Sequence, residues 1–279
     1  MKSRRSMTVV AAGVLLAASA TVTAAEPGPV GATVSVNGIE MYYEVSGDGP
    51  PLLLLHGGTG SGRMFDPFVA ELGARYRLVV PDLRGHGRST NPNGEWSTRQ
   101  FARDIFALLD HLGIDRCSGI GTSAGGMTLL HMATMAPERV EAMVVVGVGT
   151  YLPVSCREIL AQTSLDGASP QAWERLRSLH HHGDDQIRAL YAWVASLADS
   201  YNDMTFTPAY LATVSARTLV VHGDRDYCFP IAMAAEVYAA IPDAYLWVVP
   251  NGGHVPLGPD TAEQFTTTVL RFLGGEWSR

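Results

Sequence analysis

No stretch of this 279-residue chain concentrates lysine or arginine among aromatics, so the electrostatic footprint of a nucleic-acid binder is missing. The formal charge is −7, a mild acidity that serves solubility. Cysteine is scarce: Cys117, Cys156 and Cys228 are the whole supply. Three scattered thiols do not compose a zinc site. In an exported chain two of them can pair and leave one free, and the spacing does not say which two. No internal repeat or low-complexity tract is visible, so a repeat array is excluded. Charged residues make up only 17% of the chain against 47% hydrophobic ones. That proportion suits one well-packed domain with a substantial core and room for an insertion.

The first 25 residues are a different material. Lys2, Arg4 and Arg5 form a basic start, and Met7 to Val22 is apolar or small and uncharged. Small residues around Val22-Thr23-Ala24-Ala25 offer cleavage sites, which completes the pattern of a secretory signal peptide over residues 1–25. A retained anchor helix is the rival reading, but the segment is barely long enough to span about 30 Å of hydrocarbon. Ser3-Arg4-Arg5 hints at twin-arginine export, a pattern that Met7 and Thr8 fit poorly. No cysteine follows the apolar run, which argues against a lipoprotein. The expectation is an exported protein without a stable membrane anchor after cleavage, its net charge moved from −7 to −10 by the loss of three cations.

Past the linker at Glu26-Pro-Gly-Pro, strands are expected at 32–36 and 39–45 around an Asn37-Gly38 turn, then at 52–55 and 76–80. Phe101, Ile105, Leu108 and Leu112 fall on one helical face, and Ser97 with Gln100 has the spacing of a capping box. Further strands are expected at 117–122, 142–148, 218–222 and 245–249, with helices over 127–136 and 259–272. Strands alternating with helices imply a mostly parallel sheet covered on both faces. Residues 151–215 break that rhythm. They show helical spacing (Trp173, Leu176, Leu179; Leu190, Trp193, Leu197) and no strong strand, and are read as a helical cap inserted between core segments 26–150 and 216–279.

Chemistry centres on Gly121-Thr122-Ser123-Ala124-Gly125-Gly126, placed between a strand and a helix. A serine hydroxyl is a poor nucleophile unless a base takes its proton and the backbone presents it. A sharp strand-to-helix turn with small neighbours does the presenting. Asp226 follows one predicted strand and His254 follows the last. Loops after parallel strands gather at one edge of a sheet, where residues far apart in sequence can meet. His254 would then take the Ser123 proton and return it to the leaving group, while Asp226 holds the imidazole tautomer. The glycine-rich turn His56-Gly57-Gly58-Thr59-Gly60 is the expected source of an oxyanion donor, with Gly58 N–H paired to Ala124 N–H.

With His56-Gly57-Gly58, Pro81-Asp82-Leu83-Arg84-Gly85-His86-Gly87-Arg88-Ser89, the Ser123 turn, His222-Gly223-Asp224-Arg225-Asp226 and Gly253-His254 in this order, the chain resembles the α/β-hydrolase family over nearly all its mature length. The resemblance implies an α/β fold with a sheet of about eight strands, the second antiparallel, flanked by helices. It also implies Asp226 rather than Asp224 as the acid. Members include esterases, lactonases, C–C hydrolases, peptidases and cofactor-free peroxidases, and a perhydrolase side activity of the same three residues is a further alternative. Those with an aspartate nucleophile are argued against by Ser123.

The expected activity is hydrolysis of a small or medium carboxylic ester, a small-molecule substrate, through an acyl-enzyme on Ser123. Such chemistry calls for no cofactor and no metal. A lactonase or C–C hydrolase with the same three residues is the nearest alternative. A proline-type aminopeptidase would need an acid for the substrate amine, and Glu174, Asp184, Asp185 and Asp203 are the cap carboxylates on offer. A relative that binds without turnover is a further rival. His56, His86, Asp82 and Arg84 are read as structural. The run His180-His181-His182 is read as a solvated helix end, because adjacent positions do not face one ligand point. Trp173, Tyr191 and Trp193 are read as cap core; Met127, Tyr227 and Phe229 are candidates to line a pocket.

Overall fold

The computed structural model describes residues 30–277. The expected signal peptide lies outside these residues.

Eight strands form one sheet: β1 (Val30–Val36), β2 (Ile39–Ser46), β3 (Pro51–Leu55), β4 (Arg77–Pro81), β5 (Cys117–Thr122), β6 (Val140–Val146), β7 (Arg217–Gly223) and β8 (Ala244–Val249). Their order is β1-β2-β4-β3-β5-β6-β7-β8. β2 runs antiparallel to both its neighbours, and every other pairing is parallel. The central strands are short apolar runs because both faces of a parallel sheet are covered. Leu53 and Leu55 of β3 point to one core and Leu52 and Leu54 to the other.

The helices are α1 (Val69–Gly73), α2 (Thr98–His111), α3 (Ala124–Met135), α4 (Val154–Ala161), α5 (Pro170–Leu179), α6 (Gly183–Ser196), α7 (Pro208–Leu211), α8 (Ile231–Ala240) and α9 (Ala262–Leu273). α2, α3 and α8 supply one core, with Phe101, Leu130 and Val237. The other is built from α1, α9 and the 3-10 turn Gly62–Phe68, with Leu72, Phe265 and Phe65. That 3-10 turn, α1 and α8 are elements beyond those expected from the sequence pattern. Among the described residues no helix is long and apolar enough to cross a membrane.

The capping box at α2 is half formed. Ser97 Oγ accepts from Gln100 N at 3.0 Å, but the Gln100 amide turns forward to Asp104 Oδ1 at 2.9 Å instead of back to Ser97. Asp104 draws it there because it sits fully buried against Arg84. Arg84 Nε and Nη2 donate to the two Asp104 oxygens at 2.7 and 2.8 Å, and Asn37 Nδ2 donates to Oδ1 at 3.0 Å. This pair locks the loop after β4 to α2 and to the β1–β2 turn. Removing one partner strands a buried charge, a loss of about 3–5 kcal/mol. Asp104→Ala should therefore lower the urea midpoint by that equivalent. An unchanged midpoint would show that the guanidinium finds water.

Residues 151–215, between β6 and β7, hold α4 to α7 and no strand. They dock on the core through apolar side chains such as Leu190, Trp193 and Phe206 and through polar contacts with the core loops. Gln186 Nε2 donates to the carbonyls of Gly85, Gly87 and Ser89 at 3.1–3.2 Å. The Asp203 carboxylate accepts from Thr98 N at 3.0 Å, and Trp193 stacks on Trp96 with centroids 5.2 Å apart.

Candidate active site

From β3 the chain passes to β4 on one side and, after α2, to β5 on the other, so the carboxyl ends of β3 and β5 flank a topological switch point. Crevices form there in open parallel sheets. The His56-Gly57-Gly58 turn leaves β3 and Ser123 leaves β5 at this place.

Ser123 occupies the tight turn between β5 and α3 with φ +49° and ψ −117°, a conformation rarely taken by a residue with a side chain. Its N–H donates to Val146 O at 2.8 Å. The turn closes only because its neighbours are small. A Cβ on Gly121 would lie 2.5 Å from Gly125 O, and one on Gly125 would lie 2.2 Å from Leu55 O.

The loops after β7 and β8 also touch. A Cβ on Gly223 would sit 2.2 Å from the carbonyl oxygens of Gly252 and Gly253. This approach brings His254 to Asp226. His254 Nδ1 lies 2.9 Å from Asp226 Oδ2 and 3.1 Å from Oδ1, and Nε2 lies 2.9 Å from Ser123 Oγ. Asp226 Oδ1 further accepts from Cys228 N at 2.7 Å and Phe229 N at 3.0 Å. Burial pushes the Asp226 carboxyl up, but its hydrogen bond and charge contact with His254 and the two backbone donors outweigh this and hold it below its ordinary range. It stays ionised and keeps the Nδ1 proton of His254. Asp224, by contrast, faces Arg225 at 3.8 Å.

Gly58 and Ala124 line the same cavity as Ser123 and His254. Ala124 is the first residue of α3, where backbone N–H groups lack intrahelical acceptors and the helix dipole favours negative charge.

Two compartments meet at Ser123. One, of about 310 Å³, is apolar and lies under α4 and α6; Leu152, Leu160, Val194 and Met204 line it. The other, of about 640 Å³, is more open and polar, with Arg63, Asp66 and Arg175 on its walls. Met127, Tyr227 and Phe229 all line the apolar compartment. Tyr191 and Trp193 line it too, so these two stand on the cavity wall and are not cap core alone. Trp173 is elsewhere, with Arg188 over its ring at 4.9 Å. None of Glu174, Asp184, Asp185 and Asp203 lines either compartment. Asp184 pairs with Arg177 and Asp203 caps α2.

The histidine run departs from its reading as a solvated helix end. His181 and His182 are exposed, but His180 is 1% exposed. Its Nδ1 accepts from Gly87 N at 2.9 Å, so Nε2 carries the proton and donates to Thr59 O at 3.2 Å. Burial lowers its pKa and keeps it neutral, as a bridge between two core loops. His56 plays the same part: Nε2 accepts from Leu83 N at 3.0 Å, and Nδ1 faces Gly57 O at 2.8 Å. His86 Nδ1 donates to Arg84 O at 2.9 Å, and burial holds its pKa well below the usual range. Among the described residues no group of three or more histidine, cysteine or acidic side chains is placed to hold a metal ion.

The cysteines pair as Cys156–Cys228, which joins α4 to the turn that carries Asp226. Cys117 is free and buried, and burial pushes its thiol up to about 12. Neither the pairing nor the wall residues Leu152, Leu160 and Met204 carry a local signal in the sequence, since each depends on where the inserted helices dock.

The strand order, the two covered faces and the turn at Ser123 define an α/β-hydrolase fold. A family model described as the alpha/beta hydrolase fold matches residues 50–182. The chain is 24% identical over 263 residues to the 2-hydroxy-6-oxo-6-(2'-aminophenyl)hexa-2,4-dienoic acid hydrolase of Metapseudomonas resinovorans, covering 86% of this chain and 89% of that protein. Among solved structures it resembles the enol-lactonase of Burkholderia xenovorans LB400, with a TM-score of 0.71, 25% identity, and coverage of 87% of this chain and 100% of that one. It also resembles an esterase from Rhodococcus sp. ECU1013, with a TM-score of 0.69, 23% identity, and coverage of 89% and 99%.

Proposed function

We propose that the chain is a serine hydrolase of small or medium carboxylic esters. The observation that carries this reading is the unbroken line of hydrogen bonds from Ser123 Oγ through His254 to a buried, ionised Asp226, opening on an apolar compartment. Oγ attacks the ester carbonyl carbon as His254 Nε2 takes its proton. The oxyanion is met by the Gly58 and Ala124 N–H groups, donors that are typically worth about 3 kcal/mol each in the transition state. Collapse expels the alcohol, which takes the proton back from His254. Water then attacks the acyl-enzyme by the same route and releases the acid.

The same three residues also support a lactonase or a C–C hydrolase, and the likeness to the Metapseudomonas and Burkholderia proteins favours keeping that second reading. The absence of a cap carboxylate from both compartments disfavours an aminopeptidase. Export belongs to the proposal as well, supported by the basic and apolar start and by a disulfide, a bond that persists in oxidising compartments.

One experiment tests these points together. The exported protein is assayed on p-nitrophenyl butyrate and a simple lactone, then treated with a fluorophosphonate and measured by intact mass. Expected are ester turnover, one adduct on Ser123, and a chain that begins near Ala25 or Glu26. An adduct with lactone turnover alone selects the second reading. No adduct overturns the nucleophile, and a mass that includes Met1 overturns cleavage.

A further inference from the structure

α4 is an eight-residue helix whose only buried residue is Cys156. Val154 at its start is 72% exposed and Ile159 is 40% exposed. Its arginine, Arg157, bonds to carbonyls within the inserted segment itself, Leu152 O at 2.9 Å and Ala198 O at 2.8 Å. Only a narrow apolar stripe seats it: Cys156 is buried and Leu160 packs partly buried against the core, while Ile159 stays exposed. Yet α4 and its flanks provide Leu152, Cys156, Ile159 and Leu160 to the apolar compartment, and the Asp226 turn provides Tyr227 and Phe229. The covalent link between those two walls is Cys156–Cys228.

We propose that this disulfide, more than the narrow apolar stripe, sets the position of α4 and so the size of the apolar compartment, which makes the sulfur pair a determinant of substrate length. The inference rests on the compartment's role in the proposed ester hydrolysis. With the bond closed, the wall cannot yield and long chains are rejected. With it open, α4 is free to move away from the Asp226 turn, and longer chains enter. Opening requires two electrons and two protons from a dithiol; the sulfur pair becomes two thiols and the reagent closes to a cyclic disulfide.

The test compares the protein purified without reductant, the same protein after dithiothreitol, and Cys156→Ser. Thiol titration in denaturant should count one thiol before reduction and three after it; three at the outset would overturn the proposal. Each form is assayed on p-nitrophenyl esters from acetate to octanoate and on acetates of alcohols of the same lengths, so that the compartment is probed from both sides of the ester. In at least one series the long-to-short ratio of kcat/KM should rise about tenfold or more on opening, the scale at which apolar pockets discriminate chain length. Hydrogen exchange should quicken across 153–163 while the amides of β5 and β6 keep their protection, which separates a released helix from an unfolded protein. Ratios within about twofold in both series, or unchanged exchange across 153–163, would overturn the proposal. If no ester is turned over by any form, the hydrolase reading fails, and the exchange result alone decides whether the disulfide seats α4.

Discussion

Ser123→Ala is expected to lower kcat on a p-nitrophenyl ester by about a millionfold, the loss typical when a serine nucleophile that acts as one unit with its base is removed. Little structural cost should accompany it. The Ser123 hydroxyl makes no capping hydrogen bond to α3, and the turn is held by the backbone, through Ser123 N to Val146 O and Met127 N to Ser123 O. Among the described residues, the side chain's hydrogen-bond partner is His254 Nε2 at 2.9 Å. The thermal midpoint should therefore stay within a few degrees of the parent. The measurement is kcat on protein free of parent enzyme, with melting followed by circular dichroism. Retention of parent-like turnover would remove Ser123 from the chemistry.

Asp226→Asn should cost about ten-thousandfold in kcat, while Asp224→Asn should change it less than about threefold. The reason is a proton, not a lost contact. Asp226 Oδ1 accepts the N–H groups of Cys228 and Phe229, so an asparagine there must place its oxygen at Oδ1 and its NH2 at Oδ2. That NH2 would face His254 Nδ1 at 2.9 Å and force it to accept, which moves the ring proton to Nε2. Nε2 would then donate to Ser123 Oγ and be unable to take its proton. Asp224 has no comparable contact with the ring. Its polar partner is the exposed Arg225. Steady-state kinetics of both variants at the parent's pH optimum decides the matter. Equal losses in the two would mean that the turn, and not the carboxylate of Asp226, matters.

Several features of the fold were legible because the forces that make them are local. Leu52 to Leu55 reads as a strand covered on both faces because an uninterrupted apolar run following two prolines has nowhere else to go. The turn at Ser123 was legible because its geometry demands glycine at fixed neighbours, and the clashes met by a Cβ at Gly121 and Gly125 show why. The helix over 98–111 was legible from its apolar face and from Ser97. Its capping box forms only in part, since the second half of that motif loses its glutamine to Asp104, a competitor that becomes attractive only when Arg84 is buried beside it.

The amino-acid order by itself determined the mostly parallel sheet, the strained turn that presents Ser123, and the set of loops that leave the strands at one edge. Each follows from backbone sterics or from hydrophobic alternation within a few residues. Tertiary structure alone decided the rest. It buried His180 between two core loops instead of leaving it with His181 and His182, and it set Tyr191 and Trp193 on the wall of the apolar compartment. It paired Cys156 with Cys228 across a separation of 72 residues. Such choices depend on how the helices between β6 and β7 dock on the core. That docking is set by the summed shape and hydrogen bonding of surfaces distant in sequence, such as Gln186 on the 85–89 carbonyls and Asp203 on Thr98, for which no local pattern exists.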